Sequence, residues 1–142
     1  MDIRKRLAQL EAEHEELLAV QKELTQEESK YRNLFEHSPY AIIVNVQDSI
    51  FLVNQACLTL FGAKDPSELI GKSPYDLFHS SSHQVIRNRI QSMREKGEAV
   101  PEIEEKIVRM DGRVVDVISK AAPFSYGSTN AIHVMLLDIT EK

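Results

Sequence analysis

Cysteine is scarce in this sequence, which has a single thiol, Cys57, among 142 residues. One cysteine cannot form an internal disulfide framework or a zinc site built from several thiolates. Its neighbours Ala56 and Leu58 favour a small buried hydrophobic side chain over a reactive thiol. We therefore predict neither disulfides nor a metal site.

Long apolar runs and basic charge are also lacking. No run approaches the roughly 18 apolar residues of a membrane-spanning helix, and the N-terminus has no apolar signal-peptide region. The formal net charge of −5 provides no basic surface for nucleic acid. We expect no membrane span in this chain, no nucleic-acid partner and a cytoplasmic location.

Catalytic motifs are absent as well. The sequence contains no nucleophile elbow, no phosphate-binding glycine loop and no spacing that suggests a Ser/His/Asp triad. An apolar content of 42% and a charged content of 27% are typical of a domain with a packed core. We expect no enzyme activity from this chain itself, although the full-length protein could be a histidine kinase.

Residues 1–30 contain no glycine or proline and carry an apolar residue at every seventh position. This spacing is typical of a coiled coil, and the alternate seam positions are mostly polar, which indicates a weak seam. Such a helix would be about 45 Å long, too long to fold back onto a small core. We predict homodimerisation through this helix, in parallel or antiparallel pairing, with a single solvated helix as the alternative. The predicted dimerisation positions are Ile3, Leu7, Leu10, Leu17, Leu24 and Tyr31.

The middle of the chain alternates short strands and helices. Residues 41–46 and 50–53 form a predicted hairpin, and Asn54 caps a helix over residues 55–61 that Gly62 closes. Asp65 and Ser73 begin two further short helices, the first ending at Gly71. A longer helix then starts near Ser81 and ends at Gly97, with four side chains predicted to be buried: Val85, Ile86, Ile90 and Met93.

The last third of the chain is predicted to be sheet. Residues 101–110 and 113–122 form a hairpin around Asp111-Gly112, which favours a type I′ turn. The stretch from Ala131 to Thr140 is apolar and rich in β-branched residues, which predicts a strand buried on both faces at the centre of the sheet. Its polar end leads to Glu141 and Lys142. That end suggests an input module of a larger protein.

Several phrases in this order resemble the PAS domain family, most closely the PAS domains of sensor histidine kinases, over residues 31–140. They are Tyr31-Arg-Asn-Leu-Phe-Glu-His-Ser-Pro39, Ile50-Phe-Leu-Val-Asn54 with Leu60-Phe-Gly62, Glu68-Leu-Ile-Gly71, Arg109-Met-Asp-Gly-Arg113 and Asp138-Ile-Thr140. The resemblance implies an α+β fold, with a five-stranded antiparallel sheet in the order 2-1-5-4-3 and short helices over one face. Residues 1–30 would be the coiled-coil helix and residues 31–142 the PAS domain.

The resemblance also implies roles for individual residues. Asp138 would pair with a base near the exit from the sheet, and Thr140 would cap the next helix, so that both couple the sheet to an output domain. Four positions would be structural: Asn54, Gly62, Gly71 and Gly112.

A pocket between sheet and helices is the third implication, and its ligand is unknown. The candidate lining residues are Ile43, Leu58, Phe78, Ile86, Ile90, His133 and Met135. Flavin photochemistry in this family uses a cysteine in a segment that corresponds to residues 70–78, which contains none. Heme would need an axial histidine inside the longer helix, where His83 is the one candidate; His83 and His79 are instead expected to face solvent. Neither cofactor is favoured, and the pocket would hold a small apolar molecule or its own side chains.

We interpret the chain as a homodimeric PAS sensor or dimerisation module of a cytosolic signalling protein. Its output domain would follow in the same chain, and a histidine kinase is the first choice. One alternative is a purely structural dimerisation module with a self-filled core. Another is the input domain of a diguanylate cyclase or of a transcription regulator.

Overall fold

The computed structural model describes residues 2–140 and divides into two units, residues 1–35 and 36–142. Helix α1, Ile3–Glu36, accounts for the first unit. It extends past residue 30 because no helix breaker precedes Pro39. None of its side chains is buried, and the six predicted seam residues are 44–77% exposed. The apolar stripe therefore lies open to solvent along the helix.

Although α1 has the length of a membrane-spanning helix, it lacks the sustained apolar character. No other helix in residues 2–140 is both long enough and apolar enough to cross a membrane.

The second unit is built on five antiparallel strands. They are β1 Ala41–Val46, β2 Ser49–Val53, β3 Val100–Val108, β4 Val114–Tyr126 and β5 Thr129–Asp138. Their order in the sheet is β2-β1-β5-β4-β3, which confirms the predicted topology. Strand β5 lies at the centre, paired with β1 on one side and β4 on the other. Strands β2 and β3 are the edge strands of the sheet.

Three α-helices and two 3₁₀ turns connect β2 to β3. The helices are α2 Gln55–Phe61, α3 Pro74–Leu77 and α4 His83–Lys96, and the turns are Pro66–Glu68 and Ser80–Ser82. Asp65 and Ser73 each form the predicted capping box, with Glu68 and Asp76 as the reciprocal partners. The side chains therefore satisfy backbone N–H groups at both starts.

The core lies between these helices and one face of the sheet. Alternate residues of β4, Val115, Val117 and Ser119, are buried on this face, as their spacing predicts. Helix α4 contributes Ile86 and Met93. Val85 was also expected in the core, but its side chain is 43% exposed because it precedes Ile86 on the helix and faces away.

The turn conformation predicted for one hairpin occurs in another. Gln47 and Asp48 connect the paired residues Val46 and Ser49 with φ angles of 52° and 62°, the positive values that a type I′ turn requires at both positions. In the loop between β3 and β4, positive φ occurs at Gly112 (87°) but not at Asp111. The type I′ prediction for that loop is therefore wrong. Hydrogen bonds from Arg109 N to Arg113 O (2.8 Å) and from Gly112 N to Arg109 O (2.9 Å) close a longer loop.

Asn54 connects three elements through its fully buried amide group. Its Oδ1 accepts from Cys57 N at 3.0 Å, capping α2, and from Ile42 N at 2.9 Å, in β1. Its Nδ2 donates to Tyr40 O at 2.9 Å. The predicted helix cap is confirmed, and the same side chain fixes the start of β1 beside the end of β2.

Gly62 ends α2 with a φ of 70°, as predicted for a helix-closing glycine. A Cβ here would lie 2.7 Å from the guanidinium of Arg109, which donates to the carbonyl oxygens of Thr59 and Leu60. The left-handed backbone thus favours glycine, and a larger residue would also have to displace the arginine that covers the helix end.

Replacing Asn54 by alanine is expected to lower the free energy of unfolding by about 3 kcal/mol, because three backbone groups, two of them buried, lose a hydrogen bond to its side chain. Urea denaturation measures the change. Asn88→Ala, at an exposed position on α4, is the matched control and should change stability by less than about 0.5 kcal/mol. Asn54→Asp keeps an acceptor but loses the donor to Tyr40, so its free energy of unfolding should lie between those of Asn54→Ala and Asn88→Ala. Equal stability of all three variants would contradict the structural role of the Asn54 side chain.

Candidate ligand pocket and exit segment

A small cavity of about 40 Å³ lies between α4 and the core face of the sheet. Three of the predicted pocket residues, Phe78, Ile86 and Ile90, line it. Met93 on α4 and Ile132 and Val134 on β5 complete much of the apolar wall. The apolar face of α4 and the inward-facing residues of β5 thus meet at this cavity.

The other four predicted pocket residues lie elsewhere. Ile43 and Leu58 are 2% and 7% exposed and belong to the packed core, but they do not line the cavity. His133 and Met135 alternate with Ile132 and Val134 along β5, so they project from the opposite face of the sheet. These two side chains are half-buried. The prediction that β5 is buried on both faces is therefore wrong for the face that carries them.

The cavity has a polar side that the sequence analysis did not identify. It is formed by Asn45, Arg89, Glu105 and Ser119. Arg89 Nε lies 3.6 Å from Glu105 Oε1, and the two side chains are only 11% and 3% exposed. The guanidinium also donates to Pro101 O at 2.6 Å and Ser119 O at 3.4 Å. An apolar ligand would offer no hydrogen bond to Asn45 Oδ1 or Glu105 Oε1, which lack one within residues 2–140.

Burial dominates the electrostatics of this polar side. It raises the pKa of Glu105, while the charge of Arg89 and a hydrogen bond from Ser119 lower it in part. A carboxyl group in this position is expensive to ionise unless a partner is close, and Arg89 provides that partner. The pair fixes the edge strand β3 to helix α4.

Strand parity was the signal that could have revealed these residues. Glu105 lies between Ile103 and Ile107 in the period-two pattern of β3 and therefore faces the core. Arg89 follows Ile86 by three residues and shares its helix face.

A wide, open cleft of about 840 Å³ adjoins the small cavity and shares several lining residues with it, among them Asn45, Ile90 and Ile132. Its rims include the β1–β2 turn and the C-terminal end of α4. Arg94 and Asp48 join these rims, with Arg94 Nη2 at 2.8 Å and 3.0 Å from the two carboxylate oxygens. The cleft and the cavity are therefore neighbouring spaces on the same side of the sheet.

His83 does not line the cavity. The prediction that it faces solvent is wrong. Its Nε2 lies 2.8 Å from Tyr75 O and 2.9 Å from Phe78 O, and its ring packs edge-on against Tyr75. These contacts hold α3 to the start of α4. They occupy the nitrogen that an axial heme ligand would need.

Cys57 is fully buried, and burial raises the pKa of its thiol to about 12. The expectation of a small buried hydrophobic side chain is confirmed. Within residues 2–140, no three or more His, Cys, Asp or Glu side chains cluster as a metal site would require.

The exit segment follows directly from the central strand. Asp138 Oδ1 accepts hydrogen bonds from the backbone N–H of Thr140, at 2.8 Å, and from its hydroxyl group. Within residues 2–140 the partner of Asp138 is thus Thr140 and not the predicted base. The backbone N of Ile139 donates to Asp116 O at 3.1 Å, which keeps the segment beside β4. Glu141 and Lys142 lie outside the described residues.

Comparison with known proteins gives consistent results. Residues 39–141 match the family model described as a PAS domain. Sporulation kinase A of Bacillus subtilis (strain 168) is 36% identical over 112 residues, an alignment that covers 79% of this chain and 18% of that protein. The chain therefore spans less than a fifth of this relative.

Solved structures show the same fold. The PAS domain of an HTR-like protein from Haloarcula marismortui superimposes with a TM-score of 0.74 at 24% identity, covering 85% of this chain and 98% of that one. A PAS domain from a two-component sensor histidine kinase gives a TM-score of 0.68 at 12% identity, covering 80% and 97%. At these identities the likeness concerns the fold alone.

The half-buried His133 predicts a pH dependence of stability. Burial lowers its pKa from 6.5, so below that pH the unfolded chain binds a proton more readily than the folded one. Stability should be fully present above about pH 6.5 and should fall as the pH decreases below it. Urea midpoints compared at about pH 7.5 and about pH 5.5 measure this loss.

His133→Gln should reduce the loss, whereas His37→Gln, at an exposed position, should retain it. An unchanged pH dependence in His133→Gln would contradict the assignment.

Proposed function

This chain belongs to the PAS domain family, and from that premise we propose that it is the sensor input of a histidine kinase. The observation that carries the proposal is its 36% identity to sporulation kinase A across 79% of the chain. Catalysis would reside in a phosphoacceptor helix and a nucleotide-binding domain elsewhere in the full-length protein. The PAS domain would control their activity.

The geometry of β5 supports a route for the signal. Ile132 and Val134 line the cavity, and the same strand continues to Asp138 four residues later, a span of about 13 Å. A change at the cavity wall would shift the strand and the hydrogen-bonded turn between Asp138 and Thr140. An output helix after Thr140 would receive that shift, through a two-state coiled coil.

Dimerisation through α1 is the second part of the proposal. Every predicted seam residue of α1 is exposed in the single chain, and Leu18 and Val20 beside the seam are each 51% exposed. An apolar stripe of this length is normally covered in solution, and a second copy would cover it in register. The polar residues at alternate seam positions would weaken the seam, so the two helices could shift register or rotate.

A structural dimerisation module remains the competing function, and the small volume of the cavity favours it. A core largely filled by its own side chains would transmit strain from α1 to the sheet without any ligand. The two functions share the dimer and differ in whether a small molecule changes the output.

Leu17→Asp is expected to weaken dimerisation about 100-fold or more, because each copy would place a carboxylate in the apolar seam. Sedimentation velocity or native mass spectrometry over a dilution series measures the dissociation constant. Ala19→Asp adds the same charge two residues later, outside the seam, and should leave the dimer intact. A Leu17→Asp chain that stays dimeric in dilute solution would show that the sheet, not α1, joins the partners.

The full-length protein is expected to transfer the γ-phosphate of ATP to one of its own histidines, at a rate that Leu17→Asp changes and Ala19→Asp does not. Radiolabelled ATP and the acid lability of phosphohistidine provide the assay. Synthesis of cyclic diguanylate from GTP, or specific DNA binding without autophosphorylation, would replace the kinase with one of the other output classes.

A further inference from the structure

Two buried oxygen atoms at the cavity accept no hydrogen bond from residues 2–140. They are Asn45 Oδ1 and Glu105 Oε1, on residues that are 8% and 5% exposed. A buried acceptor without a hydrogen bond is destabilising, and the 3.6 Å contact of Glu105 Oε1 with Arg89 Nε compensates its charge without a hydrogen bond. Both lie on the wall of the same cavity, on strands β1 and β3.

The nitrogen atoms of Arg89 at the cavity, in contrast, have partners. The terminal nitrogens of Arg89 donate to the carbonyl oxygens of Pro101 and Ser119, and its Nε faces Glu105. These contacts orient the guanidinium toward the protein's own oxygen atoms. The buried polar atoms at the cavity that lack a hydrogen bond within residues 2–140 are both acceptors.

The charge of a matching ligand follows from Arg89. This side chain already supplies the positive charge that compensates an ionised Glu105. A cation would bring a second positive charge into a poorly solvated space, next to a guanidinium. A neutral group that donates hydrogen bonds satisfies both acceptors without that penalty.

The size of the inner cavity limits the part of the ligand that enters it. A volume of about 40 Å³ accommodates about three non-hydrogen atoms, since a water molecule needs about 10–15 Å³ by the same kind of measure. The adjoining cleft of about 840 Å³ has room for a larger remainder.

We propose that this cavity binds a small neutral ligand through a hydrogen-bond-donating head group, a hydroxyl or primary amide, which Glu105 and Asn45 recognise. This inference rests on the proposed sensor function, whose signal it assigns to a chemical class. It replaces the apolar ligand that the sequence suggested. Ile90, Met93 and Ile132 would enclose the carbon atoms of the ligand.

Three probes of four non-hydrogen atoms each test the proposal: 2-propanol, acetone and isopropylammonium. On the same three-carbon frame they present a neutral hydroxyl that donates, a carbonyl that only accepts and a cationic donor. Each is titrated at millimolar concentrations into the ¹⁵N-labelled chain, and amide shifts around the cavity are followed by NMR. We expect 2-propanol to bind at least about tenfold more tightly than either of the others.

Variants then identify the recognising groups. Glu105→Gln presents an N–H in place of one acceptor, so acetone should gain affinity and the preference for 2-propanol should narrow or reverse. Asn45→Leu removes the second acceptor without leaving a buried charge unpaired, and should also reduce the preference. The matched control is Glu104→Gln, an exposed neighbour on the opposite face of β3, which should behave like the wild type.

Equal binding of acetone and 2-propanol, or unchanged selectivity in both cavity variants, would overturn the proposal. Tightest binding of isopropylammonium would overturn its neutral character. No response from any probe would show that water alone satisfies the two acceptors. Binding of 2-propanol that leaves autophosphorylation of the full-length protein unchanged would count against the sensor function while the ligand class stands.

Discussion

The structure of the sheet-containing unit depends on one buried amide group, that of Asn54. Its oxygen and nitrogen satisfy backbone groups of Tyr40, Ile42 and Cys57, so the start of β1, the end of β2 and the first turn of α2 have a fixed mutual geometry. A fully buried polar side chain has few alternative partners, so it specifies one arrangement rather than adding only stability. Strand β1 then places β5 at the centre of the sheet, and β5 carries one wall of the cavity.

The buried ion pair on the polar side of the cavity, unlike Asn54, does not clearly increase stability. Apolar residues of similar volume in place of Arg89 and Glu105 would commonly give a domain of equal or greater stability, because desolvation of a buried pair offsets much of its attraction. The pair nevertheless attaches the edge strand β3 to α4, and it decides which chemical groups the cavity can accept. Stability and selectivity thus make opposite demands on the same few residues.

Sequence patterns predicted the fold well where they had a local physical cause. The capping boxes at Asp65 and Ser73, the cap at Asn54 and the glycine at the end of α2 were visible as residue types at fixed spacing. Topology came from the apolar character of β5 together with the family resemblance. Tertiary context decided the rest: the Gln47-Asp48 turn has no glycine, yet it takes the backbone conformation that Asp111-Gly112 was expected to take.

The pocket was predicted less well, for a related reason. Along β5 both faces carry large side chains, so the sequence did not show whether His133 or its neighbours face the helices. A charged residue in a strand is usually predicted to be exposed. The position of Glu105 between two inward-facing isoleucines nevertheless indicates burial. Burial of a charge requires a partner, and Arg89 lies 16 positions earlier in the sequence, on a different element.

The ion pair between Asp48 and Arg94 has a kinetic consequence. It joins the two rims of the cleft, yet both side chains are more than half exposed, at 57% and 61%. An exposed pair of this kind contributes about 0–1 kcal/mol, close to the thermal energy, and dissolved salt screens it. The pair therefore holds the rims together only weakly. For the proposed ligand, ionic strength would alter the rates of entry and release, while the buried contacts would set the affinity.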